Sequence, residues 1–539
     1  MEKRTIIALI LTVVILFVFQ TYFTPKQQQP IEKSETKEQI QIKEGEKSKD
    51  MVKTSVDAIT GKAEKNIERV PTRSEIKVKS SQDIVVETPF LKVTLTDLGG
   101  GIKNVKLKKY KETVKGNEYK EIVEDISPYT YLPVISKVVN NSEIKDDGTN
   151  FKVDRNSITV KDKPEKIVFT GILGDESKVI KTYTFYPDTY TVDIKVETQS
   201  SDNNKVNLDF SVMNAKKKSD YTFKGPFVYN GKKFEQIDDI DKKVEIDKNF
   251  KYAGLDEGFF AFIYMPDDNS GAPLTIFKSE SGNPVLRLHP DKENISAKLY
   301  FGPKQTDILK SLNIKAEKII DFGWFDIIAK PLVLGLNYCN KVTHNYGIDI
   351  ILLTILIKII FYPLSLKSYQ SMNKMKKLQP QIQKLKEKYK DDKQKLNQEM
   401  MSMYKTQGVN PMGGCLPMII QIPVFFALYK ALSGAIELRH APFMFWINDL
   451  SAPEDLFSFT VLGYSLPIRI LPLIMGITQV IQQKMTPTTA DPMQEKLMLF
   501  MPIFFTFLFW GFPAGLVLYW LVNNVISIGQ QYYINKKVS

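Results

Sequence analysis

The spacing of hydrophobic and polar positions changes twice along the chain, which divides it into regions of different structure. Residues 5–23 form an uncharged apolar run about long enough to span a bilayer. From about Ile84 to Lys315, apolar and polar residues alternate in short segments separated by Gly- and Pro-containing turns. From residue 319 onward, apolar residues recur at helical spacing or in long runs. The pattern predicts an N-terminal anchor, a β-rich domain and a helical domain.

The first apolar run follows Lys3 and Arg4 and has two interpretations, a membrane anchor or a cleaved secretory signal. No small-x-small cleavage site follows Phe23, which favours an uncleaved anchor over residues 1–24 with its N-terminus in the cytoplasm. Residues 25–80 are rich in Gln, Lys and Glu, and this composition predicts a flexible, solvated linker.

The alternating segments predict that residues 81–316 form a large antiparallel β-sandwich. The clearest strands lie in the segments 91–95, 183–185, 190–196 and 206–210, each with one apolar face. Acidic residues are scattered over this region, and no nucleophile lies beside a plausible base. A sugar-binding cleft stays open as an alternative, but no residue pattern indicates it.

The helical region predicts a membrane domain. Residues 317–340 combine aromatic and aliphatic positions with charges, which is typical of an amphipathic helix on a membrane surface. Residues 341–539 contain five apolar runs, so we predict six spans in all and both termini in the cytoplasm. One of these spans is predicted over 466–482, after an outer loop over 438–465. The lysine-rich segment 367–408 predicts a helical hairpin on the cytoplasmic side.

Lys358 lies inside the apolar stretch 345–369, where a basic residue costs roughly 2.5–3.5 kcal/mol on insertion scales. Thr354 and Tyr362 share its helix face, because they lie one turn before and one turn after it. Either the lysine reaches the nearby membrane interface, or it lies on the wall of a hydrated cavity. The second interpretation predicts a cationic, polar groove within the membrane domain.

Polar residues also recur within the later predicted spans. Each one taken alone is explained by hydrogen bonding between helices, whereas together with Lys358 they favour a hydrated hollow. We expect no Asp or Glu inside a span, so the sequence does not indicate a proton- or cation-coupled pump. These polar residues are Gln421, Thr478, Gln479, Gln482, Thr506, Tyr519, Asn523 and Asn524.

The predicted hairpin carries an apolar stripe that includes Met372, Met375, Met400 and Met403. This stripe is either the seam between the two helices or an adaptable surface that receives apolar client segments. Its lysines, among them Lys376 and Lys377, could contact anionic lipid or ribosomal RNA.

Composition narrows the possible functions. The net charge of +12 is concentrated locally, and the mean hydropathy of −0.19 averages a polar middle with apolar ends. Two cysteines and three histidines are isolated, so we expect neither a disulfide framework nor a metal site, and no cofactor. No nucleophile elbow, HExxH motif, phosphate loop or paired carboxylates occur, so we do not expect an enzyme. We expect no DNA partner.

Four segments closely resemble the YidC-type membrane protein insertases of the Oxa-type superfamily: YPLSLKSYQSMNKM, NPMGGCLPMIIQIPVFFALY, QKMTPTTADPMQEKLMLFMP and FPAGLVLYW. The resemblance is dense from Phe322 to Ile534, and KTYTFYPDTYTVDI resembles the large periplasmic domain of the Gram-negative form. It implies insertion of nascent bacterial inner-membrane proteins, alone or beside the Sec translocon, without nucleotide hydrolysis. It also implies a positively charged groove open to cytoplasm and lipid but closed toward the periplasm.

The resemblance assigns roles to individual residues. The family usually carries Arg where this chain has Lys358, which keeps the charge but lacks the forked guanidinium donors. Thr354 matches a groove-wall position, and Tyr519 and Trp520 match substrate-contacting aromatics. The short tail Asn535–Ser539 predicts weak ribosome contact. The full predicted groove comprises Lys358, Thr354, Tyr362, Gln479, Tyr519, Trp520 and Asn523.

Residue chemistry and resemblance together predict a passive insertase or chaperone whose groove cation attracts acidic residues of the client. The principal alternative is a channel or transporter for a small anion, which would also use a basic groove. A sugar-processing envelope enzyme built on the sandwich ranks last.

Overall fold

The computed structural model describes residues 81–124, 131–139, 142–199, 206–211, 223–267, 272–291, 294–409, 416–461, 464–485 and 492–538. The predicted anchor (1–24) and linker (25–80) lie outside these residues. The described chain begins with a β-rich part and continues as a helical part.

The β-rich part is built from strands of 2 to 11 residues. In chain order they are β1 (Asp83–Glu87), β2 (Leu91–Thr96), β3 (Gly101–Lys111), β4 (Tyr119–Val123), β5 (Val134–Val139), β6 (Ser142–Lys145), β7 (Lys152–Val153), β8 (Ser157–Thr159), β9 (Glu165–Ile172), β10 (Lys178–Phe185), β11 (Thr191–Gln199), β12 (Val206–Phe210), β13 (Gly225–Tyr229), β14 (Phe234–Gln236), β15 (Val244–Ile246), β16 (Tyr252–Asp256), β17 (Phe260–Pro266), β18 (Leu274–Lys278), β19 (Pro284–Leu288) and β20 (Asn294–Pro303).

These strands form three sheets. The largest has the order β14-β13-β16-β17-β20-β11-β10-β9-β7, and the others are β4-β3-β2-β1-β8 and β15-β18-β19-β12-β5-β6. The two smaller sheets are joined where Ile102 and Leu132 exchange backbone hydrogen bonds of 2.8 and 3.0 Å. All pairings within the three sheets are antiparallel except β1 with β8, which is parallel. The predicted antiparallel arrangement is therefore wrong at this one edge.

The sheets are held face to face by one apolar core. Phe210 of β12 contacts Phe262 and Tyr264 of the large sheet, with ring centroids 5.7 and 5.4 Å apart. Alternation explains the core: in β10 every second residue from Val179 to Phe185 is buried. Such alternation was visible in the sequence, and the strands predicted there are present.

The buried Lys181 links the large sheet to segments next to the strands of the two smaller sheets. Lys181 of β10 forms an ion pair with Asp146 at 2.6 Å and also donates to the carbonyls of Gly99 and Pro133. Burial raises the pKa of the Asp146 carboxyl to about 6 and lowers that of the Lys181 ammonium, while their mutual attraction opposes both shifts. The pair satisfies polar groups that would otherwise be buried without partners.

The helical part follows. Its helices are α1 (Thr306–Ser311), α2 (Asp326–Thr343), α3 (Tyr346–Ile360), α4 (Tyr362–Lys388), α5 (Lys393–Thr406), α6 (Leu416–Gly434), α7 (Ile470–Met485), α8 (Pro492–Phe509) and α9 (Ala514–Val538), with a hairpin of β21 (Phe457–Val461) and β22 (Tyr464–Ile468) between α6 and α7. We predicted an outer loop over 438–465 and a span over 466–482. The span prediction is wrong at its start, because residues 464–468 form a strand.

The core of the helical part lies between α3, α6, α7 and α9, around Leu353, Leu432, Met475 and Val517. Helix α2 covers α6 with a small apolar face, because Ala329 packs near Ala427 and Ala431. Its opposite face is apolar and exposed, at Trp324 just before the helix and at Ile327, Leu334, Tyr338 and Val342.

No single helix among the described residues is both long enough and apolar enough to cross a membrane. Helices α3 and α4 together have the required length and composition, although they are bent by 64° at the break between them. Two shorter apolar segments lie at Ile419–Gly434 and Phe500–Phe509. The bend follows from Pro363 in the first turn of α4, because proline provides no backbone donor to continue α3.

The β-rich and helical parts meet at Arg439, just after α6. Its guanidinium donates to the carbonyls of Lys111 and Glu112 at 2.7 and 2.9 Å, and lies 5.3 Å from the centroid of the Phe260 ring. Nearby Ile436 is buried in the apolar core of the β-rich part. The loop after α6 therefore lies on the same side of the helical part as the β-rich part.

Candidate functional site

Lys358 lies on the protein-facing side of α3. Buried residues on that side are Ile350, Thr354 and Ile357, while the opposite face exposes Leu352, Ile355, Leu356 and Ile359. The lysine side chain is 9% exposed and extends toward α9. The side chain therefore lies between α3 and α9.

The ammonium of Lys358 has one hydrogen-bond partner among the described residues, the Ser527 hydroxyl of α9. Lys358 Nζ lies 2.6 Å from Ser527 Oγ, and no ion pair to a carboxylate is formed within the described chain. The position in the last turn of α3 offsets part of the charge, because a helix C-terminus carries partial negative charge. Two of the three ammonium protons have no acceptor in the described residues.

The polar residues of α9 mostly bond to neighbouring helices. Gln421 of α6 donates to the Tyr519 hydroxyl, and the Trp520 indole donates to Gln479 of α7 at 3.3 Å. Asn524 donates to Thr478, also at 3.3 Å. For these pairs the structure shows interhelical hydrogen bonding, the alternative that we gave for each residue taken singly.

Asn523 differs from these pairs because its side-chain oxygen Oδ1 is buried and has no partner among the described residues. Its backbone carbonyl accepts from the Ser527 hydroxyl at 2.7 Å, so it lies one turn from the lysine contact. The helical core therefore holds an unpaired amide oxygen on the residue whose backbone carbonyl binds Ser527, the partner of the Lys358 ammonium.

The remaining predicted groove residues differ in how far their side chains are buried in the protein. Thr354 is buried and donates to the carbonyl of Ile350 at 2.6 Å, whereas Tyr362 is exposed at the start of α4. Tyr519 is 1% exposed, and Trp520 packs against Phe425, Phe505 and Phe509. The structure therefore links Lys358 through Ser527 to the backbone carbonyl of Asn523, and places the two aromatics in the apolar core of the helical part.

The sequence analysis did not single out Ser527. The signal that could have found it is spacing, because Tyr519, Asn523 and Ser527 follow at intervals of four on one face of α9.

The predicted hairpin is present as α4 and α5, with Asp392 capping α5 by accepting from the backbone of Lys395 at 2.9 Å. Its methionines lie mainly in the interior: Met375 packs with Met400 and Met403 in the seam, and Met372 packs with Tyr369 and Ile534. Lys376 and Lys377 are exposed.

Asp349 contradicts the expectation that no carboxylate lies inside a predicted span. It is fully buried in the first turn of α3 and accepts from Asn340 at 2.8 Å and Thr343 at 2.5 Å. It lies nine residues from Lys358, about 13 Å of helix rise, so it does not neutralise that ammonium. Its role is to join α2 to α3.

No group of three or more His, Cys, Asp or Glu side chains in the described segments has the arrangement of a metal site.

Two family models match the chain. The model described as YidC periplasmic domain matches residues 83–334, and the model described as 60Kd inner membrane protein matches residues 338–539.

Two similar proteins match this chain over its whole length. The chain is 37% identical to a protein named membrane protein insertase YidC from Pelobacter propionicus over 561 residues, covering 100% of both chains. It is also 37% identical to the protein of that name from Syntrophus aciditrophicus over 558 residues, again covering 100% of both chains. A solved active YidC insertase with its first transmembrane domain resolved is 20% identical, covers 84% of this chain and 93% of its own, and gives a TM-score of 0.40.

Proposed function

The chain belongs to the YidC family of membrane protein insertases, and from this premise we propose how it integrates nascent proteins into the bacterial inner membrane. The resemblance identified in the sequence is thereby confirmed. As a member of this family the chain is a non-enzymatic insertase, with an insertase core and a β-rich periplasmic domain. The family also favours this function over an anion channel and over a sugar-processing enzyme.

We propose a six-span arrangement in which residues 1–24 form the anchor and α3, α6, α7, α8 and α9 form the five-span core. Residues 25–80 would link the anchor to a periplasmic domain over 81–316. The exposed apolar face of α2 supports an interfacial helix over 317–340. The contact between Arg439 and the β-rich part supports a periplasmic location for the loop after α6 and a cytoplasmic one for the α4–α5 hairpin.

The observation that carries the mechanism is the Lys358 ammonium, which is buried between α3 and α9 with a hydroxyl as its partner and no carboxylate in the described chain. A buried cation without a counter-charge is unfavourable, so an acidic client residue that pairs with it gains interaction energy. That attraction would hold the polar end of a client while its apolar helix moves along the outside of α3 into lipid. Water entering between α3 and α9 would shorten the hydrocarbon path for polar client segments.

The groove would be walled by Thr354, Tyr362, Gln479, Tyr519, Trp520 and Asn523. Access to the ammonium would require α9 to separate from α3, which the hydrogen bond between Lys358 and Ser527 joins.

The cytoplasmic hairpin would receive clients and partners. Its exposed lysines, including Lys376 and Lys377, suit anionic lipid and ribosomal RNA. Met372 and Met375 are buried and Met400 and Met403 are partly buried, so these side chains would become fully available only if the hairpin opened. Cooperation with the Sec translocon would use surfaces outside the groove. The short tail after Ile534 would give only weak ribosome contact.

The test uses purified protein in proteoliposomes and a single-span client with acidic residues in its N-terminal segment. We expect Lys358→Arg to retain insertion, Lys358→Gln to slow it roughly tenfold, and Lys358→Glu to abolish it, because charge sign decides the attraction. Lys298→Glu, the same reversal on an exposed strand residue, is the matched control and should insert normally.

Equal insertion by wild type, Lys358→Gln and Lys358→Glu would refute the electrostatic step. A client whose acidic residues are changed to amides should lose its dependence on Lys358. Anion flux through liposomes carrying the wild-type protein would instead support the channel.

A further inference from the structure

The Ser527 hydroxyl is oriented by its own helix. Ser527 is 2% exposed, and its hydroxyl donates to the backbone carbonyl of Asn523 at 2.7 Å. When the hydroxyl proton is donated to that carbonyl, the oxygen remains able to accept hydrogen bonds. The Tyr369 side chain is a second hydrogen-bond partner of this hydroxyl. Lys358 Nζ lies 2.6 Å from the same oxygen.

The lysine depends on this contact for its position. A lysine side chain has four rotatable bonds and a compact ammonium, so it does not hold one geometry without a fixed acceptor. Among the described residues, Ser527 is the acceptor that the ammonium has. The hydrogen bond joins residues 169 positions apart, so it also links α3 to α9.

We infer that Ser527 is a positioning residue: it holds the Lys358 ammonium between α3 and α9, with its free donors turned toward an incoming client carboxylate. This inference rests on the proposed insertase mechanism and names a residue through which Lys358 acts. It also explains how a lysine could bind a client carboxylate without the planar set of donors that an arginine guanidinium has. The Ser527 hydroxyl would fix the orientation of the ammonium, which the flexible lysine side chain does not fix by itself.

The competing explanation is helix packing. Serine hydroxyls in helices often bond to the carbonyl four residues earlier, and a small buried residue lets helices approach closely. In that case Ser527 would matter equally whether or not residue 358 carries a charge. A double-mutant cycle separates the two roles, because only positioning requires the ammonium.

The experiment measures client insertion into proteoliposomes by full-length protein carrying Ser527→Ala, Lys358→Gln or both. We expect Ser527→Ala to slow insertion roughly five- to tenfold in the wild-type background, as for loss of one ordinary hydrogen bond. In the Lys358→Gln background the same change should have no further effect. Ser527→Thr, which keeps the hydroxyl, should insert at nearly the wild-type rate.

Matched controls separate this effect from damage to the fold. Ser433→Ala removes another buried serine hydroxyl, one without a partner among the described residues, and should leave insertion unchanged. A client with its acidic residues changed to amides should be insensitive to Ser527→Ala.

Equal slowing by Ser527→Ala in both backgrounds would overturn the inference and assign Ser527 to packing, while the role of Lys358 stood. Full activity of Lys358→Gln would instead refute the proposed function itself, and with it any positioning role. The two failures are therefore distinguishable.

Discussion

At the scale of single residues, the two charged groups of α3 are accommodated in opposite ways. Asp349 lies at the helix N-terminus, where the helix dipole favours an anion, and it accepts hydrogen bonds from Asn340 and Thr343. Lys358 lies in the last turn, where the dipole favours a cation, but among the described residues its ammonium donates a hydrogen bond only to the Ser527 hydroxyl. Asp349 therefore has a structural role, whereas Lys358, whose ammonium has donors left over, is suited to bind a client.

A partly buried carboxyl predicts a pH effect in the periplasmic domain. Burial raises the pKa of Glu257 to about 8, although Lys120 and Lys224 oppose the shift. The unfolded chain releases this proton near pH 4.3, so between that value and about pH 8 the folded state binds more protons. Stability should therefore fall as pH rises through this window and level off above it.

We expect Glu257→Gln to be more stable than wild type at pH 8.5 by about 1–2 kcal/mol, and nearly equal to it at pH 4.5. Thermal unfolding of the full chain in detergent at both pH values measures the difference. Glu280→Gln, an exposed carboxylate on the turn between β18 and β19, controls for the change in net charge. A stability difference that does not depend on pH would contradict the assignment.

The sequence indicated Lys358 because a charge in an apolar run is visible without a structure. It did not indicate Ser527, because a serine in an apolar helix is ordinary until its partner on a distant helix is known. Asp349 was missed because it follows a run of polar residues at the helix start.

At the scale of elements, what could be predicted depended on whether the pattern was local. The strands of the β-rich part and the α4–α5 hairpin follow from alternation, helical spacing and the polar turn near Asp391. The parallel pairing of β1 with β8 and the β21–β22 hairpin were not predicted. The β1–β8 pairing joins segments far apart in the sequence, which no local pattern reveals. The β21–β22 hairpin is local, but its apolar strand Tyr464–Ile468 resembles the start of a span.

The junction of α2 and α3 predicts a stability effect at this scale. Asp349→Ala would leave the half-buried Asn340 amide and Thr343 hydroxyl without their charged acceptor, at a cost of about 2–3 kcal/mol. We expect a lower unfolding temperature and faster hydrogen exchange in the last turn of α2. Asp349→Asn keeps an acceptor and should be intermediate. If α2 exchanges normally in the alanine variant, its apolar contacts with α6 hold it without the carboxylate.

At the scale of the whole molecule, the periplasmic domain is joined to the insertase core by few polar contacts. Arg439 supplies two of them, and it binds backbone carbonyls, which fixes position independently of the side chains at Lys111 and Glu112. Burial lowers the pKa of Arg439, while Glu112 and Asp449 oppose that shift. A guanidinium, with several donors in one plane, can reach two carbonyls and also stack on Phe260.

Arg439→Ala should therefore loosen the periplasmic domain relative to the core without unfolding either. Spin labels at Lys195→Cys in β11 and Asp455→Cys near β21, in a background with Cys339 and Cys415 replaced by serine, report the distance between them in nanodiscs. We expect the distance distribution to broaden in Arg439→Ala and less so in Arg439→Lys, which keeps one donor group. Arg287→Ala, which breaks an ion-pair cluster within the β-rich part, should leave the width unchanged. An unchanged width in Arg439→Ala would mean that apolar burial at Ile436 suffices to hold the junction, and the guanidinium would then serve local loop structure alone.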